Sequence, residues 1–92
     1  MFKNFQHPNG FEVIQMRQVT VYSTQTCPAC HHAKRFLQSQ NIAFQEVDVG
    51  RDRNAAMDMV KRSGQMGVPV IEVDGSMIVG FDENRLRRAL EI

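Results

Sequence analysis

The chain has 92 residues, a length that suits one domain and leaves no room for a second catalytic domain. Hydrophobic residues make up 42% and charged residues 23%, the range of folded globular proteins, which excludes wholesale disorder. The formal net charge is only +1, so the protein has no long-range field that would gather nucleic acid or an acidic membrane. We therefore expect neither as a partner.

The two cysteines, Cys27 and Cys30, lie too close together to act as a structural disulfide. A small secreted domain is normally held by four or more cysteines, and a bridge across so short a loop constrains little of the unfolded chain. The sequence also has no apolar run of about 18 residues and no continuous apolar stretch of the kind found in a secretory signal. We therefore expect a cytoplasmic protein.

The first half of the regular pattern predicts a strand, a helix and a strand. Residues 19–23 are rich in β-forming side chains and lead into a polar loop, which predicts a strand. From about Pro28 to Gln40, apolar residues recur at three- and four-residue spacing, and proline suits the first position of a helix. Residues 42–49 alternate with period two and stop at Gly50, which predicts a second strand.

The second half predicts a helix, a hairpin and a last helix. Asp52 can cap a helix that Gly64 ends. Residues 68–73 and 76–79 predict two strands, because the Asp74-Gly75 dipeptide between them is favoured in two-residue hairpin turns. Asp82 can likewise cap a short final helix.

The element order is therefore strand, helix, strand, helix, strand, strand, helix. Strands joined through a helix are expected to lie parallel, and strands joined by a hairpin lie antiparallel. We therefore predict an α/β fold, with a mixed four-stranded sheet and helices on both of its faces.

Residues 1–17 form an extension that precedes the regular domain at 18–92. The extension is too apolar for a solvated tail, and Pro8-Asn9-Gly10 predicts a turn within it. Two interpretations stay open, an extra strand or clasp on the domain and a frayed arm. The apolar residues concerned are Phe2, Phe5, Phe11, Val13, Ile14 and Met16.

The dithiol falls where the first predicted strand meets the first predicted helix. Cys27 takes about the N-cap position, where unbonded N–H groups and the helix dipole favour a thiolate, and basic residues at 31–35 add positive charge. Cys30 lies in the first turn, less exposed and close enough to attack a mixed disulfide on Cys27. The sequence thus predicts Cys27 as nucleophile and Cys30 as resolving thiol.

Three other interpretations of the cysteines compete with this one. The run from Cys27 to His31 matches the pattern that attaches c-type haem, although the predicted sheet leaves little apolar space for a haem. The cysteines with His31 and His32 could bind a metal or a cluster, more readily between two chains, but zinc sites usually take two ligand pairs from separate segments. They could also be small core residues. We predict no metal site.

Three segments resemble the landmarks of the glutaredoxins and glutaredoxin-like redoxins. They are Val21–Cys30, Gly67–Pro69 and Val79–Asp82, in the order and spacing of that family. The resemblance implies a thioredoxin-like fold. It also implies a cis peptide bond between Val68 and Pro69, which would turn the Val68 main chain toward an extended substrate.

The resemblance further implies a set of residues that bind substrate or glutathione beside the catalytic Cys27 and Cys30. These are Thr24, Pro28, Gln65, Val68, Pro69, Gly80, Phe81 and Asp82.

Three positions in or beside these landmarks depart from the family in a way that bears on the reductant. The family commonly has a lysine three residues before the first cysteine and an arginine or similar polar residue three before the proline, where this chain has Thr24 and Met66. Losing such cations removes about 1–3 kcal/mol each from binding of an anionic tripeptide. Glutaredoxins often have two glycines where this chain has only Gly80. A single glycine here resembles the redoxins that are reduced by a thioredoxin-reductase-type flavoprotein. The reductant stays open between the two, with slow glutathione turnover expected.

The sequence thus predicts a monomeric thiol–disulfide oxidoreductase that reduces disulfide-containing protein substrates or mixed disulfides, with no bound cofactor. The reductant is glutathione or a flavoprotein. The alternatives from other classes are a thioredoxin-like binding module without turnover, an iron–sulfur cluster or metal carrier, and a dithiol redox sensor.

Overall fold

The computed structural model describes residues 17–92, so the predicted extra strand or arm at the amino terminus lies outside the described residues. The order of helices and strands predicted from the sequence is confirmed. The elements are β1 (Val19–Ser23), α1 (Pro28–Ser39), β2 (Gln45–Asp48), α2 (Arg53–Ser63), β3 (Val70–Val73), β4 (Ser76–Val79) and α3 (Glu83–Leu90). Within residues 17–92, no helix combines the length and the apolar character that a membrane crossing requires.

Two strands are shorter than predicted, and each has a local reason. β2 begins at Gln45 because the residues just after α1 are still bonded to that helix. Asn41 is in the left-handed region, and the Ile42 N–H donates to the Leu37 carbonyl at 2.9 Å. β3 begins at Val70 because the preceding proline has no N–H to give to the ladder.

The sheet has the order β2-β1-β3-β4. β1 is parallel to β2, as predicted, but β3 is antiparallel to β1, so the expectation that every helix-connected pair is parallel is wrong for β2 and β3. Tyr22, near the end of β1, pairs with Val70, the first residue of β3. α2 therefore returns the chain to the end of the sheet that it left, and β3 runs the other way. The β3–β4 hairpin is antiparallel, as predicted.

The core has two parts, one on each face of the sheet. On the first face, α1 and α3 pack against β1, β3 and β4. The residues of this main core are Val19, Val21, Ala33, Phe36, Leu37, Ile71, Val73, Ile78, Leu86 and Leu90. On the second face, Met59 of α2 packs with Tyr22 and Val70. Helices thus lie on both faces of the sheet, as predicted. The dithiol loop joins the end of β1 to the start of α1.

The predicted caps and turn are present. Asp52 and Asp82 accept hydrogen bonds from backbone N–H groups in the first turns of α2 and α3. Asp74 and Gly75 both have positive φ, at 49° and 92°, the geometry of a two-residue hairpin turn whose twist matches the flanking strands. Gly64 takes the left-handed conformation that ends α2.

Candidate active site

Cys27 is the N-cap residue of α1. Its backbone is extended, with φ −98° and ψ 110°, and its Sγ accepts a hydrogen bond from the Cys30 N–H at 3.1 Å. Pro28 follows at the first helical position, where a missing N–H leaves no donor without a partner. The sulfur therefore occupies the place where a serine or aspartate oxygen usually caps a helix, and a negative charge there is stabilised by the helix dipole.

Cys30 has a different environment, although it lies only one turn deeper. Its side chain is fully buried, whereas Cys27 is half-buried. Burial raises the pKa of the Cys30 thiol to about 11; the hydrogen bond and the charge of Cys27 also raise it, and the Thr24 backbone and Lys34 lower it. Cys30 is therefore a thiol at neutral pH, and Cys27 helps to keep it protonated.

The loop before β3 faces the dithiol. The Val68–Pro69 peptide bond is cis, and the Val68 carbonyl oxygen lies 3.9 Å from Cys27 Sγ. The Gly80 N–H donates to the Pro69 carbonyl at 2.8 Å, and Gly80 has φ +81°, a left-handed conformation that favours glycine. The structure thus brings the two cysteines together with Val68 and Pro69 of the second landmark, and Gly80 of the third landmark contacts Pro69.

The other predicted binding residues occupy more varied places. Thr24 follows β1 and contacts Cys30 through its backbone, and Pro28 is exposed on α1. Gln65 is exposed after α2, where its N–H donates to Ser63 Oγ. The remaining two have structural contacts that account for them: Phe81 packs on Phe36 with ring centroids 6.0 Å apart, and Asp82 caps α3. Their part in binding glutathione stays a prediction.

Sequence reasoning missed a side-chain bridge beside the dithiol. The Lys34 ammonium on α1 pairs with the Glu46 carboxylate on β2, and Glu46 also accepts a hydrogen bond from Ser23 Oγ at 3.4 Å. Lys34 is visible in the sequence as a nearby charge, but its partner depends on the register that sets Glu46 opposite Val21. The spacing of four residues between Cys30 and Lys34 is the local signal that places them on one helix face.

The histidines after the dithiol are on the surface. His31 and His32 are exposed, and His31 Nε2 lies 3.2 Å from the Gln25 carbonyl oxygen. In the part of the chain from residue 17 to 92, no group of three or more histidine, cysteine, aspartate or glutamate side chains is placed to hold a metal ion.

Comparison with known proteins places the chain in one family. Residues 19–78 match the glutaredoxin family model. The chain is 44% identical over 70 residues to Glutaredoxin 3 of Escherichia coli K12, covering 74% of this chain and 82% of that protein. It is 42% identical over 73 residues to an uncharacterized glutaredoxin-like 8.6 kDa protein of the rubredoxin operon in Clostridium pasteurianum, covering 79% and 97%.

A solved structure supports the same assignment. The glutaredoxin-like protein NrdH-redoxin from Escherichia coli superposes with a TM-score of 0.70 at 25% identity, covering 77% of this chain and 92% of that one. Its reported subject is a thioredoxin-like activity profile. The fold is thus thioredoxin-like, and the chain belongs to the glutaredoxin family of thiol–disulfide redox proteins.

Proposed function

We propose that the protein is a monomeric dithiol–disulfide oxidoreductase that reduces disulfides of protein substrates through Cys27 and Cys30. The observation that carries this proposal is the contrast between the two sulfurs. Cys27 is partly exposed and its Sγ caps a helix, while Cys30 is buried one turn deeper, where its N–H donates to Cys27 Sγ. The environment of Cys27 suits the attacking sulfur, and that of Cys30 suits the sulfur that reacts second.

In the first step, the Cys27 thiolate attacks one sulfur of the substrate disulfide. The bond between the substrate sulfurs breaks, a mixed disulfide forms, and the other substrate sulfur leaves as a thiolate that takes a proton from water. The Val68 main chain lies beside Cys27 Sγ and can pair with an extended substrate segment, which would hold the disulfide in line with the attacking sulfur.

In the second step, Cys30 attacks Cys27 Sγ. Once Cys27 is in a mixed disulfide it has no charge, so two of the causes that raise the pKa of Cys30 are removed and its thiol deprotonates more easily. The Cys30 thiolate then forms the Cys27–Cys30 disulfide and releases the reduced substrate. Two electrons have passed to the substrate, and an external reductant returns them.

Replacement of Cys30 tests this mechanism. We expect Cys30→Ser to take the first step and stop there, so that a protein disulfide substrate accumulates as a mixed disulfide with Cys27. Intact-mass measurement of the trapped complex, followed by digestion, identifies the linked cysteine. Cys27→Ser is the matched variant, because it removes the other sulfur of the same pair, and complexes that form as readily in Cys27→Ser would overturn the assignment.

We further propose that a thioredoxin-reductase-type flavoprotein reduces the protein faster than glutathione does, in a reducing compartment such as the cytoplasm. Neither Thr24 nor Met66 offers a cation to a tripeptide carboxylate, and Met66 is 82% exposed. The similarity to NrdH-redoxin, whose activity profile is described as thioredoxin-like, favours the flavoprotein, and the similarity to Glutaredoxin 3 favours glutathione; the lack of a cation at positions 24 and 66 is the reason that we propose the flavoprotein.

A coupled assay distinguishes the two donors. We expect disulfide reduction by the wild-type protein to be at least about tenfold slower with glutathione and its reductase than with NADPH and thioredoxin reductase, which is the effect of about 1.4 kcal/mol of lost binding. Met66→Arg is expected to lower the KM for glutathione about fivefold, because it restores one charge-assisted bond. Glutathione turnover as fast as the flavoprotein route in the wild-type protein would contradict the proposal.

A further inference from the structure

Lys34 lies one helical turn after Cys30, on the same face of α1. Residues four apart on a helix have Cβ atoms about 5–6 Å apart. The Lys34 side chain is only 15% exposed, so most of it is removed from solvent, and its ammonium pairs with Glu46 of β2. A positive charge in such a place is screened less by water than one on the surface.

Glu46 holds that ammonium in place from β2. Its carboxylate pairs with Lys34 and accepts a hydrogen bond from Ser23 Oγ, and Ser23 is itself 1% exposed. The Glu46 side chain is 49% exposed, far more than that of Lys34. The negative end of the pair is therefore the better solvated end, and the pair leaves a net positive field on its inner side.

The other groups that shift the pKa of the Cys30 thiol come from the loop before α1. Cys27 opposes ionisation of Cys30 through its hydrogen bond and charge, and the Thr24 backbone favours it. Among the groups of residues 17–92 that shift this thiol, Lys34 supplies the one positive charge. Once a mixed disulfide has neutralised Cys27, the field of Lys34 acts on Cys30 without opposition from that neighbour.

We propose that Lys34 is a positioning residue for the second step of the reaction, where its ammonium stabilises the Cys30 thiolate that attacks the Cys27 mixed disulfide. In this step the Cys30 S–H bond gives its proton to water, the Cys27–substrate bond breaks and the Cys27–Cys30 bond forms. The substrate sulfur leaves with the electron pair and is protonated. The inference rests on the proposed dithiol mechanism and adds a residue that governs one half of it.

The size of the effect follows from two opposing changes. Raising the pKa of a thiol by one unit lowers its thiolate fraction about tenfold at neutral pH, while the thiolate that remains becomes about threefold more nucleophilic. Loss of Lys34 is therefore expected to slow the second step about threefold for each unit by which the Cys30 pKa rises. The first step needs no ionisation of Cys30, so it stays unchanged.

A symmetric aromatic disulfide, dithiobis(nitrobenzoate), separates the two steps. One equivalent of it, mixed with the reduced protein in a stopped-flow instrument, releases one coloured thiolate when Cys27 attacks and a second when Cys30 resolves the mixed disulfide. In Lys34→Met we expect an unchanged first release, a second release slower at pH 7 by about threefold for each unit by which the Cys30 pKa rises, and a higher pH midpoint for the second release. Lys34→Arg is expected to restore the rate and the midpoint, and Lys61→Met, which removes an exposed lysine of α2, to change neither.

Two results would overturn the role of Lys34. One is a second release with an unaltered rate and midpoint in Lys34→Met, and the other is equal slowing of both releases in Lys34→Met and Lys34→Arg, which marks a general loss of structure. Release of only one equivalent by the wild-type protein would instead refute the dithiol mechanism itself. The failure of the inference and the failure of the proposed function are thus distinguishable.

Discussion

Replacement of Cys27 by serine is expected to abolish disulfide reduction, lowering the rate at least about a hundredfold. A serine hydroxyl at the N-cap preserves the hydrogen bond to the Cys30 N–H and hence the start of α1. It does not ionise near neutral pH, however, and the thiolate is the nucleophile in exchange. The measurement is the rate at which a fluorescently labelled peptide disulfide is reduced by an excess of reduced protein.

Cys30 is not expected to replace Cys27 in that variant. It is fully buried, so a substrate disulfide cannot reach it without local opening. Burial raises the pKa of Cys30 to about 11, so the side chain is a thiol at pH 7, and burial, the largest cause, persists in the variant. The control is an unchanged far-ultraviolet spectrum, and a Cys27→Ser protein that keeps a tenth of the wild-type rate would refute Cys27 as the nucleophile.

The variant Met59→Ala is expected to lower the free energy of unfolding by about 2–5 kcal/mol. Met59 is 1% exposed and is the buried residue of α2, where it packs with Tyr22 and Val70. Truncation leaves a cavity that the neighbouring strands cannot fill. Since domains of this kind unfold with about 5–15 kcal/mol in total, the loss is a large share of the stability.

The same helix provides a matched control for this prediction. Met57→Ala makes the same chemical change two residues earlier, where the side chain is 63% exposed, and is expected to change the stability by no more than about 0.5 kcal/mol. Denaturant titration followed by circular dichroism measures both values. Similar losses in the two variants would contradict the view that the buried Met59 side chain anchors α2 to the sheet.

The features that could be predicted from sequence are those set by near neighbours along the chain. The N-cap position of Cys27, the aspartate caps and the Asp74-Gly75 turn each depend on a few adjacent residues, and each is present in the structure. The different environments of the two sulfurs were predictable for the same reason, since the first cysteine of such a pair falls at the N-cap and the second lies in the first turn, where it is buried.

The features that could not be predicted depend on where distant segments meet. The direction of β3 follows from the path that α2 takes across the sheet, which periodicity alone does not specify. Likewise, the pairing of Lys34 with Glu46 requires the register between β1 and β2, because a shift of one residue would turn Glu46 to the other face. The charge of Lys34 is therefore visible in the sequence, whereas its partner Glu46 can be identified only from the structure.

The meeting of Cys27 with Val68 across 41 residues of chain has a consequence for the order in which the protein acquires its properties. The helix that Cys27 caps is made of local contacts, whereas Val68 reaches it only after β3 has paired with β1. Non-local strand pairing requires the closure of a long loop and is therefore slow. During synthesis we expect the thiol-bearing helix to form before the Val68 segment that would select the substrate. Under the proposed mechanism, a nascent chain that ends before β3 would carry Cys27 at its helix N-terminus without the Val68 main chain that is proposed to pair with the substrate.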